Sequence, residues 1–302
     1  MPSFTSNSKM GFVLLATLAA VTFIAVYAAV IGIYFPLGGD ATNHWQGNVV
    51  NAQDYLFSKD EPEIVIVGSS RSYLLNKEYF GEGYFNLAMV GGSTLTGIEI
   101  IVRSKRHPKI VLVEVNDKIM RPADNKFIDR LFTPVMYQLS TKLPFLQEKN
   151  QPACIFSKII KSHFGFSRKE RIADRVNTKV YESNLKMHLN DAAVLPDQLK
   201  FDQSLNTLGY AIDKLALHGI PVVLFSPPIA MELERSRKYS YIRTRLHKRF
   251  PKGKYLWAGE VTDQEFQTND GIHLVETSAV LYSHILQYEV KKLQKGMGKT
   301  MN

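Results

Sequence analysis

The order of residue patterns predicts an α/β fold in which a parallel sheet is covered on both faces by helices. Three observations predict it. Short β-rich runs recur at Glu63 to Val67, Tyr84 to Ala88, Lys109 to Val115 and Ile220 to Phe225. Segments with helical periodicity, Leu95 to Arg103, Gln198 to Leu217 and Ala279 to Leu293, alternate with them. The run Ile64-Val65-Ile66-Val67 is apolar without interruption, as suits a strand buried in such a sheet.

The chain begins with a different kind of element. Gly11 to Tyr34 is an uncharged apolar run of roughly 24 residues, long enough as a helix to cross about 30 Å of hydrocarbon. Lys9 precedes it, and Ala25-Val26-Tyr27-Ala28 resembles a small-residue cleavage site. Apolar cores of cleavable leaders run to only about 7–15 residues, so an uncleaved single-pass anchor is the expectation. A short cytoplasmic tail and an exported globular domain follow from it, although flanking charge alone decides little for a large domain.

These signals divide the 302 residues. Residues 1–9 read as a cytoplasmic tail, 10–35 as the transmembrane anchor and 36–60 as a linker containing Gly38-Gly39, with weak helical character at Val49 to Phe57. Residues 61–296 read as the globular domain and 297–302 as a tail. Inside the domain, about 118–200 shows no strand pattern and reads as a mostly helical insertion. It carries a basic cluster, Lys158, Lys161, Arg168, Lys169, Arg171 and Arg175, which is either a solvated helix face or a polyanion contact.

Composition excludes several classes. With Cys154 as the single cysteine, the chain has neither an intramolecular disulfide nor a CxxC metal site. His44, His107, His163, His188, His218, His247 and His284 lack metal-ligand spacing such as HExxH, so no metal or cofactor is expected. A net charge of +9 permits anionic polymers, lipid headgroups or nucleic acid as partners. Nucleic acid ranks last, because no nucleic-acid-binding module is present.

The chemistry resides in short segments at strand ends, where open parallel sheets bind ligands. Gly68-Ser69-Ser70 closes the first β-run, and Asp270-Gly271-Ile272-His273 precedes the last helical segment. A serine hydroxyl is a weak nucleophile until a base accepts its proton and a third group orients that base. A serine of the first segment, with His273 and Asp270, could supply those three roles. Taken singly, such segments also make ordinary turns and helix caps. Two further segments fall between them in chain order. Asn86 to Thr94 ends a strand in the pair Gly91-Gly92, and Glu114-Val115-Asn116-Asp117 ends the next. Glycine amides and a side-chain amide there could donate to an oxyanion.

Together the four segments resemble the blocks of SGNH or GDSL-type hydrolases, over about Glu63 to Val290 without the insertion. Ser69 stands where that family has aspartate, Arg71 follows the nucleophile position, and Glu114 stands for a glycine. The resemblance implies a flavodoxin-like three-layer α/β/α domain. It also implies Ser70 as nucleophile, His273 as base and Asp270 as its orienter. The Ser70 amide, the Gly91 amide and the Asn116 side chain would form an oxyanion hole, with Gly92 as the alternative glycine donor.

The Gly-Ser-Ser form and the anchor look most like the membrane-tethered branch, which includes the D-alanine transfer protein of teichoic acid modification and alginate-type polysaccharide O-acetylation proteins. That likeness implies an extracytoplasmic acyltransferase or esterase, O-acetylating a cell-envelope or secreted polysaccharide through an acyl-serine. A multispanning membrane acyltransferase is the implied acyl source. Deacetylation and D-alanyl transfer are alternatives from the same chemistry. A noncatalytic scaffold that binds polymer or recruits an acyltransferase is the alternative from another class.

Overall fold

A computed structural model describes residues 5–164, 177–261 and 266–300. Two compact units emerge from its internal contacts, Met1–Val50 with Thr133–Phe166, and Asn51–Phe132 with Ser167–Asn302. Arg168, Lys169, Arg171 and Arg175 of the basic cluster lie outside the described residues.

The first element is helix α1, Thr5–Tyr34. Its stretch Met10–Tyr34 is long and apolar enough to cross a membrane, and almost none of it is covered by other parts of the protein. The expected linker holds a helix, α2 (His44–Phe57), which contains the Val49 to Phe57 stretch and begins ahead of it. Val49, Ala52, Tyr55 and Leu56 are buried at helical spacing, while the intervening polar residues dilute that pattern in the sequence.

The second unit contains the sheet. Strand β1 (Ile64–Val67) leads into a single helical turn, α3 (Ser70–Tyr73), and β2 (Tyr84–Asn86) leads into α4 (Thr94–Arg103). Strand β3 (Ile110–Glu114) is followed by α5 (Asn125–Leu131). Next come α6 (Pro134–Lys142) and α7 (Pro152–His163), which belong to the first unit. The chain returns to the second unit with α8 (Thr178–Ala192), α9 (Gln198–Leu217) and β4 (Val222–Phe225). It ends with α10 (Met231–Glu234), α11 (Arg237–Arg249), β5 (Leu256–Trp257) and α12 (Glu276–Thr300).

All strand pairs are parallel and the order is β2-β1-β3-β4-β5. This is the flavodoxin-like order, with its switch point between β1 and β3. Period-two alternation sends neighbouring side chains to opposite faces. Ile64, Ile66, Ile110, Leu112, Val223 and Phe225 join one core cluster with Tyr282, Leu286 and Val290 of α12. Val65, Val67, Val111, Val113 and Leu224 point the other way, toward the side where α4 meets β1 and α9 meets β4. Each fully buried Ile, Leu or Val contributes roughly 1.5–3 kcal/mol, which is why the sheet needs cover on both sides.

Two elements lack a clear sequence signal. Strand β5 is two residues long, too short to show a period. Helix α11 buries only Ile242 and Leu246, and its other positions are mostly Arg, Lys, Ser and Tyr. Helix α12 also extends beyond the expected Ala279 to Leu293, because its first turn, Glu276-Thr277-Ser278, and its lysine-rich end carry no apolar stripe.

Candidate active site

The site is assembled at the carboxyl ends of β1, β2 and β3, within the second unit. Beyond β2, Leu87 N–H donates to Ile66 O at 2.8 Å and Met89 N–H to Gly68 O at 3.1 Å. This keeps the Gly91 turn beside the Ser70 turn.

Ser70 begins α3 and is half-buried, whereas Ser69 and Ser72 are buried. Ser70 Oγ lies 2.9 Å from His273 Nε2. His273 Nδ1 lies 2.6 Å from Asp270 Oδ2. The other carboxylate oxygen, Asp270 Oδ1, accepts from Ile272 N–H at 3.0 Å and His273 N–H at 2.9 Å. Burial alone would raise the Asp270 pKa. The hydrogen bond and charge of His273, with the two amides, outweigh burial and hold it at about 2.

A short closed loop presents the histidine. Thr268 and Leu274 form an antiparallel bridge, Asn269 N–H donates to His273 O at 2.9 Å, and Val275 N–H to Gln267 O at 3.1 Å. At its tip Gly271 has φ +97°, a conformation that side chains resist, and a Cβ there would press on Leu185 and Leu233. The loop rests on a small apolar cluster of Ala192, Ile229, Ala230, Leu233 and Ile272, with Leu185, Leu189 and Tyr239 packed against it. Helix α8 therefore supports the histidine from within the segment read as an insertion. It also brings His188 close enough for Asp270, Lys118, Arg71 and His273 to act on it, while burial, the largest effect, lowers its pKa.

Glu114 lies behind the Ser70 turn and is 1% exposed. Its Oε2 accepts from Ser69 N–H at 2.8 Å, Ser72 N–H at 3.2 Å and the Ser72 hydroxyl. Its Oε1 accepts from the Ser69 hydroxyl at 2.6 Å and from Asn116 Nδ2. Five donors thus converge on one carboxylate, which holds the turn on both sides of Ser70. The approach is possible because residue 68 is glycine. A Cβ there would sit 2.8 Å from both Glu114 Cβ and Ser72 Oγ.

Arg71, the residue after Ser70, is buried as well. Its guanidinium donates to Asp117 Oδ1 at 2.8 Å and to the Tyr239 hydroxyl at 3.0 Å, and it stacks over the Tyr239 ring. Burial depresses its pKa, but Asp117 foremost among its neighbours outweighs that and keeps it charged. Neither Glu114 nor Arg71 was assigned a role from sequence. A signal was present for Glu114, since a charged residue ending a strand buried on both faces requires partners.

The amides near Ser70 differ in availability. Gly92 N–H already donates to Met89 O at 3.0 Å, whereas no hydrogen bond among the described residues uses the N–H of Ser70 or Gly91. The Asn116 side chain gives one N–H to Glu114, and its Oδ1 accepts from Lys118 N–H at 2.7 Å. Its amide nitrogen carries a second hydrogen. Among the described residues, no three His, Cys, Asp or Glu side chains gather in a metal-binding cluster.

No family model and no curated protein matches the sequence. A solved structure of a provisionally assigned acylhydrolase from Bacteroides fragilis NCTC 9343 is similar at 12% identity and a TM-score of 0.42, covering 84% of this chain and 98% of that one. At that distance the match bears on neither substrate nor mechanism.

Proposed function

We propose that this protein is a serine-dependent acyltransferase or esterase of the SGNH type, tethered by α1 with its globular part outside the cytoplasm. The observation that carries the reading is the hydrogen-bonded series from Ser70 through His273 to Asp270. A hydroxyl, an imidazole and an ionised carboxylate in that order form the arrangement that makes serine nucleophilic.

In the proposed reaction Ser70 Oγ attacks the acyl carbonyl while His273 Nε2 takes the hydroxyl proton. Asp270 holds the Nδ1–H tautomer and stabilises the imidazolium. The negative oxygen of the tetrahedral intermediate faces the Ser70 and Gly91 amides and the second N–H of Asn116. Collapse expels the leaving group, which receives the proton from His273 and leaves an acyl-serine. Water or a sugar hydroxyl then repeats the steps in reverse order. With the anchor and the Gly-Ser-Ser form, the reading favours transfer of O-acetyl groups to a cell-envelope or secreted polysaccharide, supplied by a multispanning membrane acyltransferase. Deacetylation and D-alanyl transfer use the same residues.

Ser70→Ala in the full-length protein tests this. Polymer acylation should fall to background at normal protein level, and an activated acetyl ester should label Ser70 of the wild type, read by mass spectrometry. Unchanged acylation in the variant would refute catalysis and favour the scaffold role.

A further inference from the structure

Outside the catalytic region, an uncovered apolar face lies in the first unit. On α6, Val135, Met136 and Leu139 are exposed, and Leu143 just beyond its end continues the stripe at positions i, i+1, i+4 and i+8. On α7, Phe156, Ile159 and Ile160 are exposed, and Phe164 follows at i+8. Phe156 and Phe164 are 65% and 66% exposed. The opposite side of α7 is conventional. Cys154 and Ile155 are buried there, Lys158 donates to Gly38 O at 2.8 Å and Lys161 to Ala41 O at 3.2 Å. The helix therefore sets Cys154, Ile155 and two lysine heads against the protein and leaves Phe156, Ile159 and Ile160 uncovered.

We infer that α6 and α7 lie in the boundary between lipid headgroups and acyl chains, with these apolar faces embedded in the bilayer that α1 crosses. The inference rests on the proposed anchoring. Its argument is continuity, since the same unit ties these helices to the span. Tyr27 of α1 donates to Asn150 O at 2.5 Å, and α1 packs on the turn Pro144–Leu146. Tyr27 lies seven residues before the end of α1, roughly 10 Å along a helix, the depth at which interfacial helices bury their apolar sides. Tyr34 and Trp45 are exposed in the same unit, side chains that favour the membrane–water boundary.

The test uses the full chain, with Cys154→Ala, reconstituted alone in phosphatidylglycerol–phosphatidylcholine vesicles. Spin labels are placed singly at Val135, Phe156 and Ile160, with Val21 in mid-span and Leu217 on the sheet unit as references. Collision with oxygen and with a water-soluble nickel chelate is then measured. The three labels should show several-fold lower nickel collision than Leu217 and oxygen collision approaching that of Val21. Nickel collision equal to that of Leu217, with Val21 protected, would overturn the inference while leaving the anchor intact. Protection only in native membranes would overturn it in favour of a protein partner. An accessible Val21 would remove the anchor itself.

Discussion

Replacing Glu114 by glutamine probes the support beneath Ser70 with almost no change in shape. The carboxylate accepts three donors on Oε2 and two on Oε1, whereas an amide keeps only one oxygen. If the new NH2 takes the Oε2 position, it faces the backbone N–H groups of Ser69 and Ser72, which cannot turn away. If it takes the Oε1 position, it faces Asn116 Nδ2, whose own oxygen is held by Lys118 N–H. Either orientation strands at least one buried donor, at about 1–3 kcal/mol, and removes charge assistance from the bonds that survive, at about 1 kcal/mol each. The lesser total, with the NH2 at the Oε1 position and three bonds surviving, is roughly 4–6 kcal/mol. Denaturant unfolding followed at Trp257, with Trp45→Phe to silence the first unit, measures it. Turnover of a model ester should fall more through kcat than KM, because the Ser70 turn rather than the acyl pocket loosens. A loss under about 1 kcal/mol with unchanged kcat would show that the five bonds are not cooperative and that Glu114 does not hold the nucleophile.

Four further outcomes follow from the same geometry. Gly68→Ala, whose methyl would meet Glu114 and Ser72, should cost about 1–3 kcal/mol and lower the melting temperature measurably. Asp270→Asn should cut kcat by on the order of 10³–10⁴ through loss of the correct tautomer, measured on the same ester. Because the folded pKa of Asp270 is about 2 against an ordinary 3.8, its carboxylate favours the fold above pH 4. Acid titration should therefore show a wild-type advantage over Asp270→Asn of about 2 kcal/mol at neutral pH, disappearing as pH falls from about 4 to 2. Asp117→Ala leaves Arg71 charged and buried, so calorimetry should record a loss of about 3–5 kcal/mol, larger than that of Tyr239→Phe.

The sheet was legible because its strands are buried on both faces, and uninterrupted β-branched runs have few other uses. Helix α9 was equally plain, since Phe201, Leu205, Leu208, Ile212 and Leu215 mark a long stripe. Helix α11 and strand β5 were hidden, one by its charge and the other by its length. At the site, sequence order showed which residue types end which strands, but not what stands behind them. Glu114 and Arg71 looked like departures from a motif because each acts through a contact more than 40 residues away in the chain, Glu114 with Ser69 and Arg71 with Asp117. The engagement of the Gly92 N–H by Met89 O is a turn hydrogen bond, which no spacing reveals.

The sequence separation of 203 between Ser70 and His273 also sets an order in time. At about 5–20 residues per second of synthesis, the imidazole follows the serine by roughly 10–40 s. Throughout that interval Ser70 is without its imidazole partner, and the loop that presents His273 packs Gly271 beside Leu185 and Leu233. On the proposed mechanism a nascent chain is thus inactive until His273 has been made. In that mechanism a product cut short before Asp270 carries the serine without its base and the carboxylate that orients it.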